Sequence, residues 1–266
     1  MYAIDLKGKH GLVMGVTNHR SLGWALAKPL AEAGARLAFS YQGERVRPTL
    51  EKLTQDMEGT VLAECDVTSD EALDALFAKV EQEMGHLDYV VHALAFAPPE
   101  TFQNPFVEVS RADWQTAMDV SAYSLPAVCH RAAKLMPGGG SIVTLSYLAA
   151  ERVVPHYNMM GVAKAALEAS MRFCAYDLGP KGIRVNAISA GPVKTVAARS
   201  IPGFSSLYSV AGPMSMLGRH ITHEEVGGLG LSLLCDQLGG GVTGETVYVD
   251  AGFQAIGLFL PEGQEA

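Results

Sequence analysis

Long apolar runs are missing from this chain, and a helix needs about 20 consecutive apolar residues to cross a bilayer, so no membrane partner is expected. The opening residues, M-Y-A-I-D-L-K-G-K-H, lack the pattern of a secretory leader, and a cytoplasmic protein is expected. Cysteine is sparse. Cys65, Cys129, Cys174 and Cys235 stand far apart without paired spacing, which argues against a disulfide framework and suits reduced thiols in a core. Basic residues are outnumbered by acidic ones, and the net charge of −8 argues against nucleic acid or an anionic membrane surface as a partner. Repeats, low-complexity tracts and interdomain linkers are also missing, so residues 1–266 are expected to form a single domain. His220 and His223 lie three apart beside Glu224, but H-I-T-H-E-E reads equally as a helix start capped by Thr222 with acidic residues in its first turn. No further ligand cluster accompanies them, and no metal is expected.

What the chain does contain is an alternation of short apolar runs and amphipathic stretches. His10 to Val16, Arg36 to Tyr41, Thr60 to Cys65, Leu87 to Leu94, Ser141 to Ser146, Ile183 to Ser189 and the closing T-V-Y-V-D read as strands. Helices are expected between them: from Leu22 with an awkward Pro29 inside, over Glu44 to Met57, Ser69 to Met84, and Ser110 to about Leu135 with a break at Pro126. Further helices are expected through Tyr157 and Lys164 and over Thr222 to Cys235. This alternation predicts an α/β fold, a doubly wound Rossmann-type parallel sheet of about seven strands with helices on both faces. Residues 193–218 are almost free of charge beyond Lys194 and Arg199, rich in Gly, Pro, Ser, Met and aromatics, and read as a mobile substrate lid.

Ligands of such sheets sit beyond the carboxyl ends of the strands. Gly15, at the end of the first strand, would let the chain bend closely past a pyrophosphate received by backbone N–H groups near Ser21 and Leu22. The spacing is G-x7-G, so this feature alone is a weak signal. After the second strand, Gln42 offers hydrogen bonds to ribose hydroxyls and Glu44 would repel a 2′-phosphate, whereas Arg45 and Arg47 cut the other way; NADH is expected over NADPH. Asp66 suits the adenine amino group with Val67 packed on the ring, although C-D-V-T-S-D also reads as a helix cap. Leu94, Ala95 and Ala97 follow the fourth strand as candidate lining of the cofactor and substrate.

The stretch S-I-V-T-L-S-Y-L-A-A-E-R-V-V-P-H-Y-N-M-M-G-V-A-K carries the chemistry. Seven residues turn an α-helix through about 700°, so Tyr157 and Lys164 share a face roughly 10 Å apart along the axis. A phenol and an ammonium so placed suit proton donation and oxyanion stabilisation. An interfacial Tyr and a snorkelling Lys would give the same spacing.

The Gly turn at 15 to 23, the D-V pair at 66 and 67, the strand I-V-T-L-S, the A-G-P-V-K-T segment and the closing V-D-A-G together resemble the short-chain dehydrogenase/reductase superfamily over almost the whole chain. Two departures narrow the resemblance. Tyr147 stands where the superfamily has its catalytic serine, and the Tyr that usually precedes the Lys by four is Met160 here, with Tyr157 seven before Lys164. Tyr147, Y-N-M-M-G-V-A-K and the early S-Y-Q are similar to the divergent branch of enoyl-acyl-carrier-protein reductases of bacterial fatty acid synthesis. That resemblance implies an NADH-dependent reduction of the trans-2 double bond of an enoyl thioester on acyl carrier protein, in a homotetramer. It implies pyrophosphate at Gly15, Ser21 and Leu22, ribose at Gln42, and adenine at Asp66 and Val67. Leu94 and the run Val193, Lys194, Thr195, Val196 and Ala197 would border the nicotinamide, with Ala97 touching substrate. Lys164 would bind the nicotinamide ribose, and Tyr157 would face the thioester carbonyl with Tyr147 nearby. The competing readings are a ketone or alcohol oxidoreductase of the same fold, against which Met160 counts, and a nonenzymatic NADH-sensing module, against which the Tyr157–Lys164 pair counts.

Overall fold

The computed structural model describes residues 4–199 and 201–257; Ser200, inside the expected lid, and residues 1–3 and 258–266 of the expected domain lie outside the described residues. In chain order the main elements are β1 (His10–Met14), α1 (Leu22–Glu32), β2 (Arg36–Tyr41), α2 (Arg47–Thr54), β3 (Val61–Glu64), α3 (Asp70–Met84), β4 (Tyr89–His92), α4 (Glu100–Gln103) and α5 (Arg111–Met118). There follow α6 (Ser124–Ala132), β5 (Gly140–Ser146), α7 (Asn158–Leu178), β6 (Ile183–Ala190), α8 (Val196–Arg199), α9 (Phe204–Ala211), α10 (His223–Leu234), α11 (Asp236–Gly239) and β7 (Thr246–Val249). The strands pair side by side and all parallel in the order β3-β2-β1-β4-β5-β6-β7. After β3 the chain crosses back to lay β4 on the other side of β1, so the direction of winding reverses between those two strands, where such sheets bind ligands.

Both faces of the sheet are covered, which is why its strands read as continuous apolar runs. Alternate residues feed two cores. Leu12, Val90, Ile142 and Val185 face α3, α6 and α7 through Leu76, Val128 and Leu167. Val13, Val91, Val143 and Ile188 face α1, α2 and α10 through Leu26, Leu50 and Val226. The four cysteines are buried and free. No helix among the described residues is long and apolar enough to cross a membrane.

Two prolines behave differently from the expectation. α1 runs unbroken through Pro29. The Ala25 carbonyl that loses its N–H partner to the proline ring instead faces Gly227 of α10, so closely that a Cβ there would sit 2.3 Å from it. The break expected at Pro126 falls earlier, as a π-helical turn over Asp119–Tyr123, and Pro126 lies in the first turn of α6. Pro126 has no N–H to give the preceding turn, and the wider turn immediately upstream absorbs that loss. The expected helix Glu44 to Met57 shortens to Arg47–Thr54, with Pro48 fixing its first turn. α10 starts as expected: Thr222 and Glu225 form a reciprocal capping box.

Candidate active site

At the end of β1 the backbone makes the approach that only glycine permits. Gly15 has φ +89°, and a Cβ there would lie 2.0 Å from the Ala93 carbonyl oxygen. β1 and β4 therefore close on one another at the switch point, with Leu94 against Gly15. Ser21 organises the turn between β1 and α1. Its hydroxyl accepts the N–H groups of Thr17 and Asn18, each at 3.1 Å, and its own amide donates to Asn18 O at 3.0 Å. The amide of Leu22, first in α1, has no carbonyl within the helix to bond and is the donor the helix offers to an anion.

Gln42 and Asp66, expected at ribose and adenine, are brought together by a 3.0 Å bond from Gln42 Nε2 to Asp66 Oδ2. Asp66 also accepts from the Thr68 amide at 3.0 Å and hydroxyl at 2.7 Å, and these donors hold its carboxyl below its ordinary range. Arg47 does not turn toward them; it pairs with Glu51 at 2.9 Å and Glu44 at 3.6 Å.

Tyr157 is the residue immediately ahead of α7, and Lys164 lies two turns inside it. The backbone on both sides of Tyr157 is left-handed, at His156 (φ 64°) and Asn158 (φ 37°), a costly conformation for residues other than glycine. Tyr147, just beyond β5, brings its ring centroid to 4.9 Å from that of Tyr157. Phe102 meets Tyr157 edge-on at 6.5 Å. Ala97 joins the same apolar cluster, with Met159, Met160 and Ala163. Burial, and then Tyr147, push the Tyr157 phenol well above its ordinary value, and burial pushes Tyr147 up to about 12. Both phenols therefore stay protonated at neutral pH and act as hydrogen-bond donors.

Lys164 is buried, and its ammonium donates to Leu145 O at 2.7 Å, leaving two further N–H donors for a ligand. Burial draws it down to about 8, while Glu168 opposes the fall. Beneath it, His92 is fully buried between Thr144 and Ser124, each at 2.9 Å. Both partner hydroxyls are engaged elsewhere as well, Ser124 donating to Val120 O at 2.7 Å and Thr144 to His92 O at 3.2 Å. Burial and then Lys164 pull His92 down to about 3, so this ring is neutral.

The side chains of the run Val193 to Ala197 have different surroundings. Val193 packs in the core, and the Thr195 hydroxyl caps α8 by accepting from the Ala198 amide at 2.9 Å. Val196 and Ala197 are exposed. The Lys194 ammonium lies over the Tyr208 ring of α9, 4.4 Å from its centroid. His220 stacks on Tyr208 with centroids 3.6 Å apart, while His223 bonds Arg20 O at 2.9 Å, so the two rings serve different elements.

Three participants escape a sequence reading. Ser121, in the π-helical turn, both accepts from the Phe96 amide at 2.9 Å and donates to the Phe96 carbonyl at 2.8 Å, clamping the loop that carries Leu94 and Ala97. His92 sits in a strand pattern otherwise apolar. Glu168 follows Lys164 by four, one helical turn, and that spacing was the available signal.

The sequence profile of the family described as "Enoyl-(Acyl carrier protein) reductase" matches residues 15–254. Among similar proteins, an enoyl-[acyl-carrier-protein] reductase [NADH] 1 of Rhizobium meliloti is 47% identical over 95% of this chain and 93% of its own length. One named for NADPH, from Staphylococcus aureus, is 44% identical over 95% of this chain and 99% of its own. The crystal structure of the Bacillus cereus enoyl-acyl carrier protein reductase with NADP+ and indole naphthyridinone superimposes with a TM-score of 0.92, at 46% identity, covering 96% of this chain and all of that one. With Tyr157, Lys164 and the switch-point glycine placed as described and these likenesses spanning nearly its full length, the chain belongs to the enoyl-(acyl carrier protein) reductase family.

Proposed function

We propose that this protein reduces the trans-2 double bond of enoyl thioesters carried on acyl carrier protein, with a nicotinamide cofactor and NADH preferred. The observation that carries the reading is the meeting of Tyr147 and Tyr157, ring centroids 4.9 Å apart, beyond the carboxyl end of β5, with buried Lys164 inside the helix that Tyr157 precedes. The cofactor fits the residues present: Gly15 leaves a cradle that any Cβ would fill, Leu22 presents a helix-terminal amide, and Asp66 and Lys164 supply an acceptor and a donor for hydroxyl or amino groups. Gln42, Val67, Leu94 and the backbone of 193–197 complete the proposed binding surface. When bound, the nicotinamide supplies hydride to C3 of the enoyl thioester.

The chain's own residues then deal with the negative charge that develops on the thioester oxygen until C2 takes up a proton, which completes the reduction. The Tyr157 hydroxyl, kept protonated by burial, donates to that oxygen, and the Lys164 ammonium stabilises negative charge nearby. Ala97, Met159, Met160 and Phe102 form an apolar wall that suits an acyl chain and excludes water. Met160 has no proton to give, which disfavours a ketone reductase. NADH oxidation followed with an enoyl thioester and, separately, a 3-ketoacyl thioester tests the reading: turnover only with the latter would overturn it.

Residues 193–218 form the proposed lid, and the carrier is proposed to dock at its basic border. Arg219 is engaged by Glu225 at 2.7 and 3.1 Å and Lys194 lies over Tyr208, so Arg199, exposed on α8, is the best candidate contact. Arg199→Glu is expected to weaken turnover of the carrier-bound substrate several-fold while sparing a coenzyme A thioester. Equal losses on both would point to lid damage.

A homotetramer is proposed, supported by α7 residues Phe173 and Tyr176, which are 73% and 81% exposed and suit burial against another copy. Light scattering coupled to size exclusion tests it. The cytoplasm is the proposed location, where four buried free thiols stay reduced.

A further inference from the structure

Glu168 is a carboxyl group the reaction described above does not use, yet it is only 5% exposed and lies one turn beyond Lys164 on α7. A buried carboxyl at such a place needs partners. Ser146, the last residue of β5, donates its hydroxyl to Glu168 Oε1. That bond fixes the strand end between two functional groups: Leu145 O, the preceding carbonyl, receives the Lys164 ammonium at 2.7 Å, and Tyr147 follows directly. We propose that Glu168 is a positioning residue, a buried counter-charge that keeps Lys164 protonated and, through Ser146, holds the end of β5 that presents Leu145 O and Tyr147.

Burial, the largest influence, raises the Glu168 carboxyl above its ordinary value and Glu151 adds to that, while the Ser146 hydroxyl and Arg172 oppose the rise by favouring the anion. On β7, Thr246 faces it, although Thr246 Oγ1 makes no hydrogen bond among the described residues, and Tyr248 stands nearby as a neutral phenol. On the Lys164 side, His92 of β4 is neutral and brings no competing charge. Glu168 thus opposes the effect of burial on Lys164. Without it, the ammonium would lose its proton at a lower pH, and with it a donor and the positive charge proposed to face the cofactor ribose and the oxyanion. This inference rests on the role proposed for Lys164.

The test reads Lys164 directly in the cofactor-free protein. Protein labelled with [13Cε]lysine is titrated from pH 6 to 10 by NMR, with the Lys164 resonance assigned by its loss in Lys164→Met. The midpoint is expected near the value of about 8 in the native chain. In Glu168→Gln, which preserves shape and an acceptor for Ser146, it should fall by about one pH unit, the lower end of the effect of an adjacent opposite charge. The alkaline loss of NADH affinity should move by the same amount, about tenfold weaker at pH 9 and little changed at pH 6. Ser146→Ala, which removes the bond favouring the anion, should shift the midpoint in the same direction by less, and it remains a test should Glu168→Gln fail to fold. An unmoved Lys164 midpoint in a folded variant overturns the proposal. An unchanged NADH affinity and kcat in Lys164→Met would instead overturn the role of Lys164, so the two failures are distinct.

Discussion

At the scale of single residues, Tyr157 and Lys164 are separable by what each touches. If Tyr157 donates to the thioester oxygen as charge develops there, Tyr157→Phe removes a bond that strengthens in the transition state. The expected loss is about a hundredfold in kcat, roughly 3 kcal/mol, with NADH affinity little changed. A merely structural tyrosine would cost about 1 kcal/mol of stability and leave kcat nearly intact. Near-normal kcat would transfer the donor role to Tyr147, whose ring lies against Tyr157. Lys164→Ala should instead raise the NADH dissociation constant as well as slow turnover, measured by fluorescence titration and steady-state kinetics. Gly15 gives a third residue-scale outcome. Gly15→Ala would press a methyl onto the Ala93 carbonyl from a left-handed backbone, and the variant should lose NADH binding and melt well below the native chain.

At the scale of elements, α10 shows how one helix is held at both ends by different means. Its N-terminus carries its own capping box, and Thr222→Ala should cost about 1 kcal/mol. Its C-terminus has no basic residue of its own in the last turn, and a strand supplies one. Arg184 of β6 donates to Leu233 O at 2.7 Å, Leu234 O at 3.3 Å and Val242 O at 3.2 Å, and pairs with Asp236 at 2.9 Å. Arg184→Met would take its donor from Leu234 O, whereas Leu233 O keeps the Ser141 hydroxyl, Val242 O keeps the Asn186 amide and Asp236, mostly exposed, would regain water. The expected cost is about 2 kcal/mol, or roughly 5 °C in Tm by calorimetry, with kcat of the folded fraction unchanged.

At the scale of the whole molecule, cofactor preference is expected to turn on the segment that follows β2. Both cofactors appear among the names of similar proteins, so family membership does not decide the matter. The turn after β2 does bear on it. Arg47 is tied to Glu44 and Glu51, and Gln42 is tied to Asp66, so the groups around the expected ribose position are an amide and carboxylates. NADH should therefore give the larger kcat/KM, and a clear preference for NADPH would show that Arg45 or Arg47 turns inward when cofactor binds.

The sequence by itself determined the parallel sheet, the order of its elements, the glycine at the switch point and the cap at Thr222. Each of these is written in local periodicity or in a residue type that backbone geometry demands. Tertiary structure decided the rest. Tyr147 meets Tyr157, Ser121 clamps Phe96 across 25 residues, Lys194 turns to Tyr208, and Ser146 reaches Glu168 across 22. The helix α1 runs on through its proline with the orphaned carbonyl against a glycine of α10, and the turn before α6 widened where a proline followed. Periodicity along a chain records which face of an element is buried; which buried faces meet, and at what register, depends on how helices settle across a sheet whose strands are distant in sequence.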